Sequence, residues 1–478
     1  MSAPFNMESD TTPSPEDRYW LEYTDSSPPA LRPVYATPDP NQPILLYTGH
    51  LQITQEINQR TVEMYGHGSV EFIWFPYPCV KFELLNNESA SCWINVSVDC
   101  SLTLVELETS VKVSVSRFHS QDRENLISGI MKEPLIQGSN EDLAYLLFHV
   151  ANFHNFMGSY TTIQDSDGSS NRNRIVLEAE NWKLTIDQLK PAESESYEEL
   201  LTSQGGFAVT HVGKLEKSDG GIFSGSEARA FLDSFVAFLS FARGFRVPLI
   251  LLLGFDAVGN QTWKYWASSI GHSWRGVNSW FPTQDAGRLA DVFPGFLRWW
   301  RDWEDSEKIA LYWYLEANAS LVVEQQIILV QVALELIAYK QGHTKGTASK
   351  KLKALLEECG ISLNIPPDKT HNPPPTFADA FRSPLTLLEE LQKFKQFFEE
   401  AEQDGAYVFT RIRNDIVHPK KEYNFENFSL VKHEACNLGL WYLELVLLCI
   451  FDYQGIYASR LPRLRYNGET ELVPWATS

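Results

Sequence analysis

The chain has 478 residues, of which 44% are hydrophobic and 13% aromatic. This length exceeds what one hydrophobic core organises, and this composition excludes a globally disordered protein. The formal net charge of −21 at pH 7 repels polyanions over most of the surface, so any RNA contact requires a local basic patch.

Targeting and metal-binding signals are absent from the sequence. Met1–Asp10 is polar and acidic, and the longest apolar runs are shorter than the roughly 20 residues of a membrane-spanning helix. We therefore predict a cytoplasmic protein with no membrane contact. The six cysteines include no CxxC pair, and no histidine cluster completes a zinc site, so no metal and no cofactor are expected.

Residues 1–40 are rich in Pro, Ser, Asp and Thr, which predicts a flexible leader. Residues 41–284 then show short alternating, β-branched and aromatic runs that predict a β-rich domain of antiparallel sheets. The predicted strands are Leu45–Thr54, Val70–Phe75, Val80–Leu85, Cys92–Val98, Leu102–Leu107, Val111–Ser116, Tyr145–Phe156, Arg174–Ile186 and the hairpin of Ile250–Asp256 with Thr262–Ser268.

One helix is embedded in this β-rich region. Ser224 and Glu227 have the spacing of a capping box, aromatic residues follow at helical intervals, and Gly244 is suited to end the helix. The aromatic run from Trp263 to Phe281 either packs in a core, which we favour, or stacks a base. His149 and His154 suggest a half-buried strand pair rather than a metal site, because a third ligand is missing.

Helical periodicity dominates residues 285–460, and residues 461–478 form a tail. The proline-rich stretch Ile365–Pro375 predicts a connecting loop. The fold class is therefore α+β, with a β-rich N-terminal domain followed by an all-α bundle. The predicted helices are Ala286–Asp305, Ala310–Tyr339, Ala348–Glu358, Pro384–Gln403, Ala406–Val417 and Ser429–Tyr453.

The segment Arg411–Lys421 reads Arg-Ile-Arg-Asn-Asp-Ile-Val-His-Pro-Lys-Lys and is the local basic patch that the net charge requires. Cleavage of RNA by its own 2′-hydroxyl needs a group that handles a proton and a fixed cation for the charge on the phosphate. His418 is the candidate for the first role, because an unperturbed imidazole changes charge near neutral pH, and an arginine suits the second. Asn414 lies one helical turn before His418.

Arg413, Asn414 and His418 match the motif of HEPN ribonucleases, in which an arginine and a polar residue precede a histidine on a helix of an all-α bundle. The β-rich domain joined to such a bundle also resembles the ApeA-type proteins of prokaryotic antiviral defence. The resemblance implies a homodimer whose two motifs face each other and cut RNA without a metal ion when infection or stress is sensed.

Two arginines fit the family spacing. Arg411 lies seven residues before His418 and on the same helix face, whereas Arg413 is followed directly by Asn414 as the motif prefers. We favour Arg413 as the catalytic arginine and assign Arg411, Lys420 and Lys421 to RNA binding.

Two acidic residues are assigned to support the motif: Asp415, inside it, and Glu335, which either pairs with Arg413 or stays at an exposed edge. A structural alternative makes Arg413 an ion-pairing residue and His418 a helix C-terminal cap. Lys350, Lys351, Lys353, Arg460, Arg463 and Arg465 either extend an RNA track or form solvated surface.

The sequence thus predicts a metal-independent endoribonuclease acting in antiviral defence or as a stress-activated toxin. Its partners would be RNA, a second copy through the HEPN domain, and a viral trigger or an antitoxin. The alternative is a non-catalytic HEPN module for dimerisation or RNA binding, joined to a β domain that senses a ligand.

Overall fold

The structure is a computed structural model that describes residues 28–37, 39–57, 59–86, 94–96, 98–121, 124–162, 170–189, 195–363, 404–418, 429–461 and 470–476. It has mixed α+β architecture, with a β-rich N-terminal region and a helical C-terminal region. The predicted loop Ile365–Pro375, the predicted helix Pro384–Gln403 and residues 1–27 of the predicted leader lie outside the described residues.

The first part of the chain forms a closed antiparallel barrel with strand order β1-β2-β3-β6-β5-β4. A short 3-10 helix, Val105–Leu107, follows β4 and ends the strand that was predicted to continue there. Inward residues alternate along β4, where Cys100, Leu102 and Leu104 are buried. The strands are β1 Ile44–Ile57, β2 Arg60–Ile73, β3 Cys79–Asn86, β4 Cys100–Leu104, β5 Thr109–Gln121 and β6 Glu124–Met131.

The strand predicted at Cys92–Val98 is wrong for the part that the structure describes, residues 94–96 and 98. The buried side chain of Gln55 takes the hydrogen bonds that a neighbouring strand would otherwise make. Its Nε2 donates to the carbonyls of Asn95 and Val98 at 2.8 and 2.9 Å, and its Oε1 accepts from the Asn95 N–H at 2.8 Å.

An eight-stranded sheet follows, in the order β7-β14-β13-β8-β12-β11-β10-β9, and all its pairings are antiparallel. The predicted hairpin is confirmed, with Leu252 opposite Tyr265. The strands are β7 Leu135–Gly138, β8 Tyr145–Ala151, β9 Ser159–Thr162, β10 Ser170–Ala179, β11 Trp182–Gln188, β12 Val209–Lys217, β13 Leu249–Phe255 and β14 Gln261–Trp266.

The two faces of this sheet belong to different cores. Along β8, Leu146, Phe148 and Val150 pack into the core shared with the helices, whereas Ala151 packs into the core of the barrel. Strand β8 stops at Ala151 rather than at Phe156, because Asn152 adopts a positive φ of 60°. The sheet is therefore the layer between the barrel and the helices.

Residues 28–37, part of the predicted leader, lie along this sheet. The Leu31 N–H donates to Asp187 Oδ2 at 2.7 Å, and the Tyr35 N–H donates to His149 Nε2 at 3.1 Å. His149 is fully buried rather than half-buried. Burial lowers its pKa to about 4, so the neutral imidazole serves as an acceptor for this segment.

Among the described residues of the β-rich region, two α-helices are present, α1 Glu195–Gln204 and α2 Gly225–Arg243. Helix α1 was not predicted. Helix α2 was, and its signals are confirmed: Ser224 and Glu227 form a capping box, and Gly244 ends the helix at a φ of 84°.

The described part of the C-terminal region contains six helices: α3 Gly287–Asp302, α4 Asp305–Ala319, α5 Val323–Lys340, α6 Ala348–Glu358, α7 Gly405–Val417 and α8 Ser429–Ile450. The single helix predicted over Ala310–Tyr339 is wrong, because Ser320 is extended and its hydroxyl accepts the Val322 N–H at 3.1 Å. After α8, β15 Ile456–Tyr457 pairs with β16 Glu471–Leu472, within the predicted tail.

The core is continuous from the sheet into the helices. Phe238 on α2 lies 4.9 Å from Phe293 and 5.2 Å from Phe296 on α3, measured between ring centroids. The boundary predicted between residues 284 and 285 thus runs through one packed cluster. In the aromatic run, Trp263, Trp266, Trp274 and Trp280 are buried, which confirms the core interpretation.

Within the described residues, Lys432–Ile450 is long and apolar enough to cross a membrane, and 78% of this stretch is buried inside the protein. Such burial is typical of a core helix, because the same apolar surface cannot face lipid and the packed interior at once.

Candidate functional site

The motif segment lies on α7, which packs against α5, α6 and α8. Helices α7 and α8 run antiparallel, because Gly405 faces Tyr442 whereas Phe409 faces Gly439. Helices α5 and α8 run parallel, since Glu324 pairs with Lys432 whereas Val330 lies against Gly439, further along both helices. The C-terminal end of α7 therefore lies beside the N-terminal ends of α5 and α8.

Local capping fixes both ends of α7. The Asp404 side chain accepts the Tyr407 N–H at 2.8 Å at the start of the helix, and it also pairs with Lys353 at 3.3 Å. At the other end, the His418 N–H donates to the Asn414 carbonyl at 2.7 Å, and His418 itself leaves the helical conformation. The predicted helix Ala406–Val417 is confirmed to within one residue.

The motif residues divide between the core and the surface. Ile412 is fully buried and Asp415 is 3% exposed, whereas Arg411, Arg413 and Asn414 are half-buried and His418 is exposed. The buried side chains of Ile412 and Asp415 fix the orientation of the helix. The other polar side chains of the motif segment therefore lie at the boundary with solvent. Arg413, Asn414 and His418 thus all lie at the C-terminal end of α7, and side-chain contact is shown only between Arg413 and Asn414.

The two candidate arginines have different partners. Arg411 Nε donates to Asp415 Oδ2 at 3.3 Å, in an ion pair one turn apart on the helix. Arg413 Nη1 donates to Asn414 Oδ1 at 3.0 Å, while its Nε is buried and has no hydrogen-bond partner among the described residues. Because the Nε is closed to solvent, an anion would have to meet Arg413 at the Nη end of its guanidinium.

The predicted pairing of Glu335 with Arg413 is wrong. Glu335 Oε1 instead accepts from Gln331 Nε2 at 2.9 Å. Val330 and Phe409 both lie against Gly439, which sets the register of the helices. Glu335 follows Val330 on α5 and Arg413 follows Phe409 on α7. Because these two helices run antiparallel, Glu335 and Arg413 lie on opposite sides of Gly439, about 13 Å apart along the bundle axis.

The structure adds three residues that the sequence analysis missed. Lys432 Nζ donates to Glu324 Oε1 at 2.6 Å at the end of the bundle where α7 finishes, and the exposed His433 follows Lys432. The hydrogen bond from Lys432 lowers the pKa of Glu324. In the sequence, the charged triplet Lys432-His433-Glu434 could have drawn attention to these residues. Only the packing of α8 against α7, however, shows that the triplet lies at the same end of the bundle as the motif.

The remaining predicted site residues give less information. Lys420 and Lys421 lie outside the described residues. Among the residues that the structure describes, no group of three or more His, Cys, Asp and Glu side chains is arranged to hold a metal ion. The absence of a metal from the proposed chemistry stays a prediction.

Comparison with known proteins relates the chain to the YopA group. Residues 138–277 match the family described as the YopA central domain, and residues 301–472 match the YopA C-terminal domain. The chain is 27% identical over 466 residues to the SPbeta prophage-derived uncharacterized protein YopA of Bacillus subtilis (strain 168), covering 94% of this chain and 98% of that protein. No solved structure matches the chain.

Proposed function

We propose that this protein is a metal-independent endoribonuclease of the HEPN type, with Arg413, Asn414 and His418 as its catalytic residues. The observation that carries the proposal is that the half-buried Arg413, which has no ion pair among the described residues, lies at the same helix end as the exposed His418. One cation and one imidazole at a solvent boundary are the groups that RNA cleavage needs.

The reaction follows from these two side chains. The His418 imidazole accepts the proton of the RNA 2′-hydroxyl, and the 2′-oxygen attacks the adjacent phosphorus. The bond from phosphorus to the 5′-oxygen then breaks, the departing 5′-oxygen takes a proton from water and the His418 imidazolium returns its proton to solvent, which leaves a 2′,3′-cyclic phosphate and a 5′-hydroxyl. Arg413 stabilises the negative charge on the phosphate oxygens, and Asn414 orients the guanidinium through its 3.0 Å hydrogen bond.

A second copy of the chain completes the site. Residues 413 and 418 point about 140° apart on an ideal helix, so one helix does not aim both side chains at one phosphate. Apolar side chains are exposed at the same end of the bundle: Leu321 is 86%, Val322 53% and Val417 40% exposed. Their burial between two copies would bring the two motifs face to face.

The biological setting of this proposal is antiviral defence or a stress-activated toxin in the cytoplasm. The helical region serves as the HEPN-type bundle, and the β-rich region, as in ApeA-type proteins, senses a viral trigger or binds an antitoxin. The relative is prophage-derived, which supports a role in phage infection or in the defence against it.

Cleavage of a fluorescent RNA by the purified protein in excess EDTA tests the proposal. We expect cleavage by the wild type and a loss of about 100-fold or more in His418→Ala and Arg413→Ala. Arg298→Ala is the control, because Arg298 pairs with Asp452 beyond the other end of α8. Full cleavage by both motif variants would refute the site, and an RNA with one 2′-deoxyribose at the cut position should resist cleavage.

A non-catalytic module for dimerisation or RNA binding is the second candidate. The observation that favours it is that the His418 backbone already has a structural role in ending α7. A protein that dimerises and binds RNA but never cuts it, with or without a trigger, would support this alternative. Growth arrest on expression that His418→Ala relieves would support the nuclease.

A further inference from the structure

A cleft of about 540 Å³ lies where the eight-stranded sheet meets the helical region. Its walls are α2, β13, the segment after β14 and the first half of α4, and its floor includes Leu232 and Leu252. This volume falls within the range of about 300–1,000 Å³ that is typical of small-molecule sites. No residue of the motif helix α7 lines it.

Three cationic side chains of the cleft each lie over an aromatic ring. The distances from the cation to the ring centroid are 4.2 Å for Arg229 over Tyr265, 4.7 Å for Arg246 over Tyr312 and 5.0 Å for Lys308 over Trp300. Each ring restricts the conformations of its cation through a cation–π interaction. The walls of the cleft therefore present rings and charges in fixed positions.

Two of these cations are already neutralised. Arg246 Nε donates to Glu316 Oε1 at 2.8 Å, and Lys308 Nζ donates to Asp305 Oδ1 at 3.0 Å. Arg229 differs, because it forms no ion pair within 4 Å of any residue that the structure describes. Asp233, one turn further along α2, attracts this charge only from beyond 4 Å, and the exposed Arg229 side chain can still pair with a ligand.

Asp233 lies one turn after Arg229 on α2 and has no ion pair among the described residues either. Partial burial raises the pKa of this carboxyl, and its charge contributes to the raised pKa values of both Tyr265 and Tyr312. Asp233, Tyr265 and Tyr312 all line the cleft. Asp233 offers a hydrogen-bond acceptor between two aromatic walls.

We propose that this cleft binds a ligand of the nucleotide class, a planar base with N–H donors that carries a phosphate. The rings of Tyr265 and Tyr312 pack against the base, Asp233 accepts hydrogen bonds from its N–H groups, and Arg229 pairs with the phosphate. A free anion uses only Arg229, and an uncharged base uses only Asp233 and the rings. A nucleotide satisfies both unpaired groups at once.

Calorimetric titration of the full-length protein tests this site without reference to RNA cleavage. The probes are the four ribonucleoside monophosphates, the matching nucleosides and inorganic phosphate. We expect at least one monophosphate to bind with a Kd below about 1 mM, and about ten-fold weaker binding in Arg229→Ala and in Asp233→Asn. The matching nucleoside should bind more weakly and should be insensitive to Arg229→Ala.

Arg298→Ala, on the exposed surface of α3, is the control and should bind like the wild type. Circular dichroism of each variant checks that the fold is retained. The proposal is overturned if no monophosphate binds saturably, if binding is unchanged in both cleft variants, or if inorganic phosphate binds as tightly as the best monophosphate. Binding at this cleft and the nuclease activity of His418 can fail separately, because their variants are different.

Discussion

Glu444 and Arg460 form an ion pair in the interior, with Arg460 Nη2 2.5 Å from Glu444 Oε1 and Nε 2.9 Å from Oε2. The two residues are 0% and 5% exposed, and the Tyr314 hydroxyl donates to the same carboxylate at 2.7 Å. The pair ties α8 to the segment that follows it. The expectation that Arg460 extends an RNA track is therefore wrong, because its guanidinium is enclosed by the fold.

Loss of one partner of this pair leaves a charge buried without compensation. We expect Arg460→Ala to lower the free energy of unfolding by about 3–5 kcal/mol. The exposed pair of Arg298 with Asp452 is the matched control, and Arg298→Ala should cost less than about 1 kcal/mol. Urea unfolding followed by circular dichroism compares the two, and similar losses in both variants would contradict the prediction.

Gly295 gives a second test of packing, at the contact between α3 and the end of α8. A Cβ at this position would overlap the Phe451 carbonyl oxygen, so the two backbones approach as closely as a glycine allows. We expect Gly295→Ala to lower the unfolding free energy by about 1–3 kcal/mol or more, although alanine favours helix.

Gly276→Ala is the control for this substitution, because a Cβ there has no neighbour within 4 Å and the backbone is not in a glycine-specific conformation. Its thermal midpoint should match that of the wild type. An unchanged thermal midpoint for Gly295→Ala would contradict the prediction, because it would show that α3 can move away from Phe451 with no loss of stability.

The pH dependence of stability is expected to reveal a buried histidine. His211 is fully buried and stacks on Phe156 at 5.2 Å, and burial lowers its pKa to about 3. In the unfolded chain its pKa is about 6.5, so below that pH only the unfolded state gains the proton. His211 therefore destabilises the fold increasingly as pH falls from about 6.5 toward 3.

His211→Phe removes the group that takes up a proton on unfolding, and it keeps an aromatic ring against Phe156. Between pH 7.5 and roughly pH 5 the variant should lose about 2 kcal/mol less unfolding free energy than the wild type. Urea unfolding at both pH values measures the difference. His67→Gln, at an exposed histidine, should keep the wild-type dependence, and equal slopes for all three proteins would contradict the assignment.

Local signals in the sequence predicted the elements that local chemistry determines. Ser224 and Glu227 satisfy the backbone at the start of α2 through their own side chains, so the spacing alone identifies the helix. The break at Ser320 between α4 and α5 was missed, because neither glycine nor proline marks it. The closure of the barrel depends on the pairing of distant strands, which no short pattern contains.

For the candidate site, the helix carrying Arg413 and His418 was predicted almost to the residue, whereas its surroundings were not. The pairing of Glu335 depends on the register between antiparallel helices, and Lys432 comes beside the motif only through that register. Sequence spacing fixes which residues share a helix face, but tertiary packing decides what that face meets.

The different partners of Arg411 and Arg413 predict different kinetic effects. Arg411 pairs with Asp415 at 3.3 Å, so we assign it a contact with the RNA backbone away from the reacting phosphate. Arg413 has no ion pair among the described residues, so we assign it to the phosphate at which charge develops. In EDTA, Arg411→Ala should raise KM several-fold with little change in kcat, and Arg413→Ala should lower kcat by about 100- to 1,000-fold.

Arg413→Lys should recover only part of the activity that Arg413→Ala loses, because an ammonium cannot bind two phosphate oxygens in the same plane. Single-turnover cleavage of a labelled RNA separates the two effects, and an inactive Arg411→Ala beside an active Arg413→Ala would reverse the assignment of the catalytic arginine.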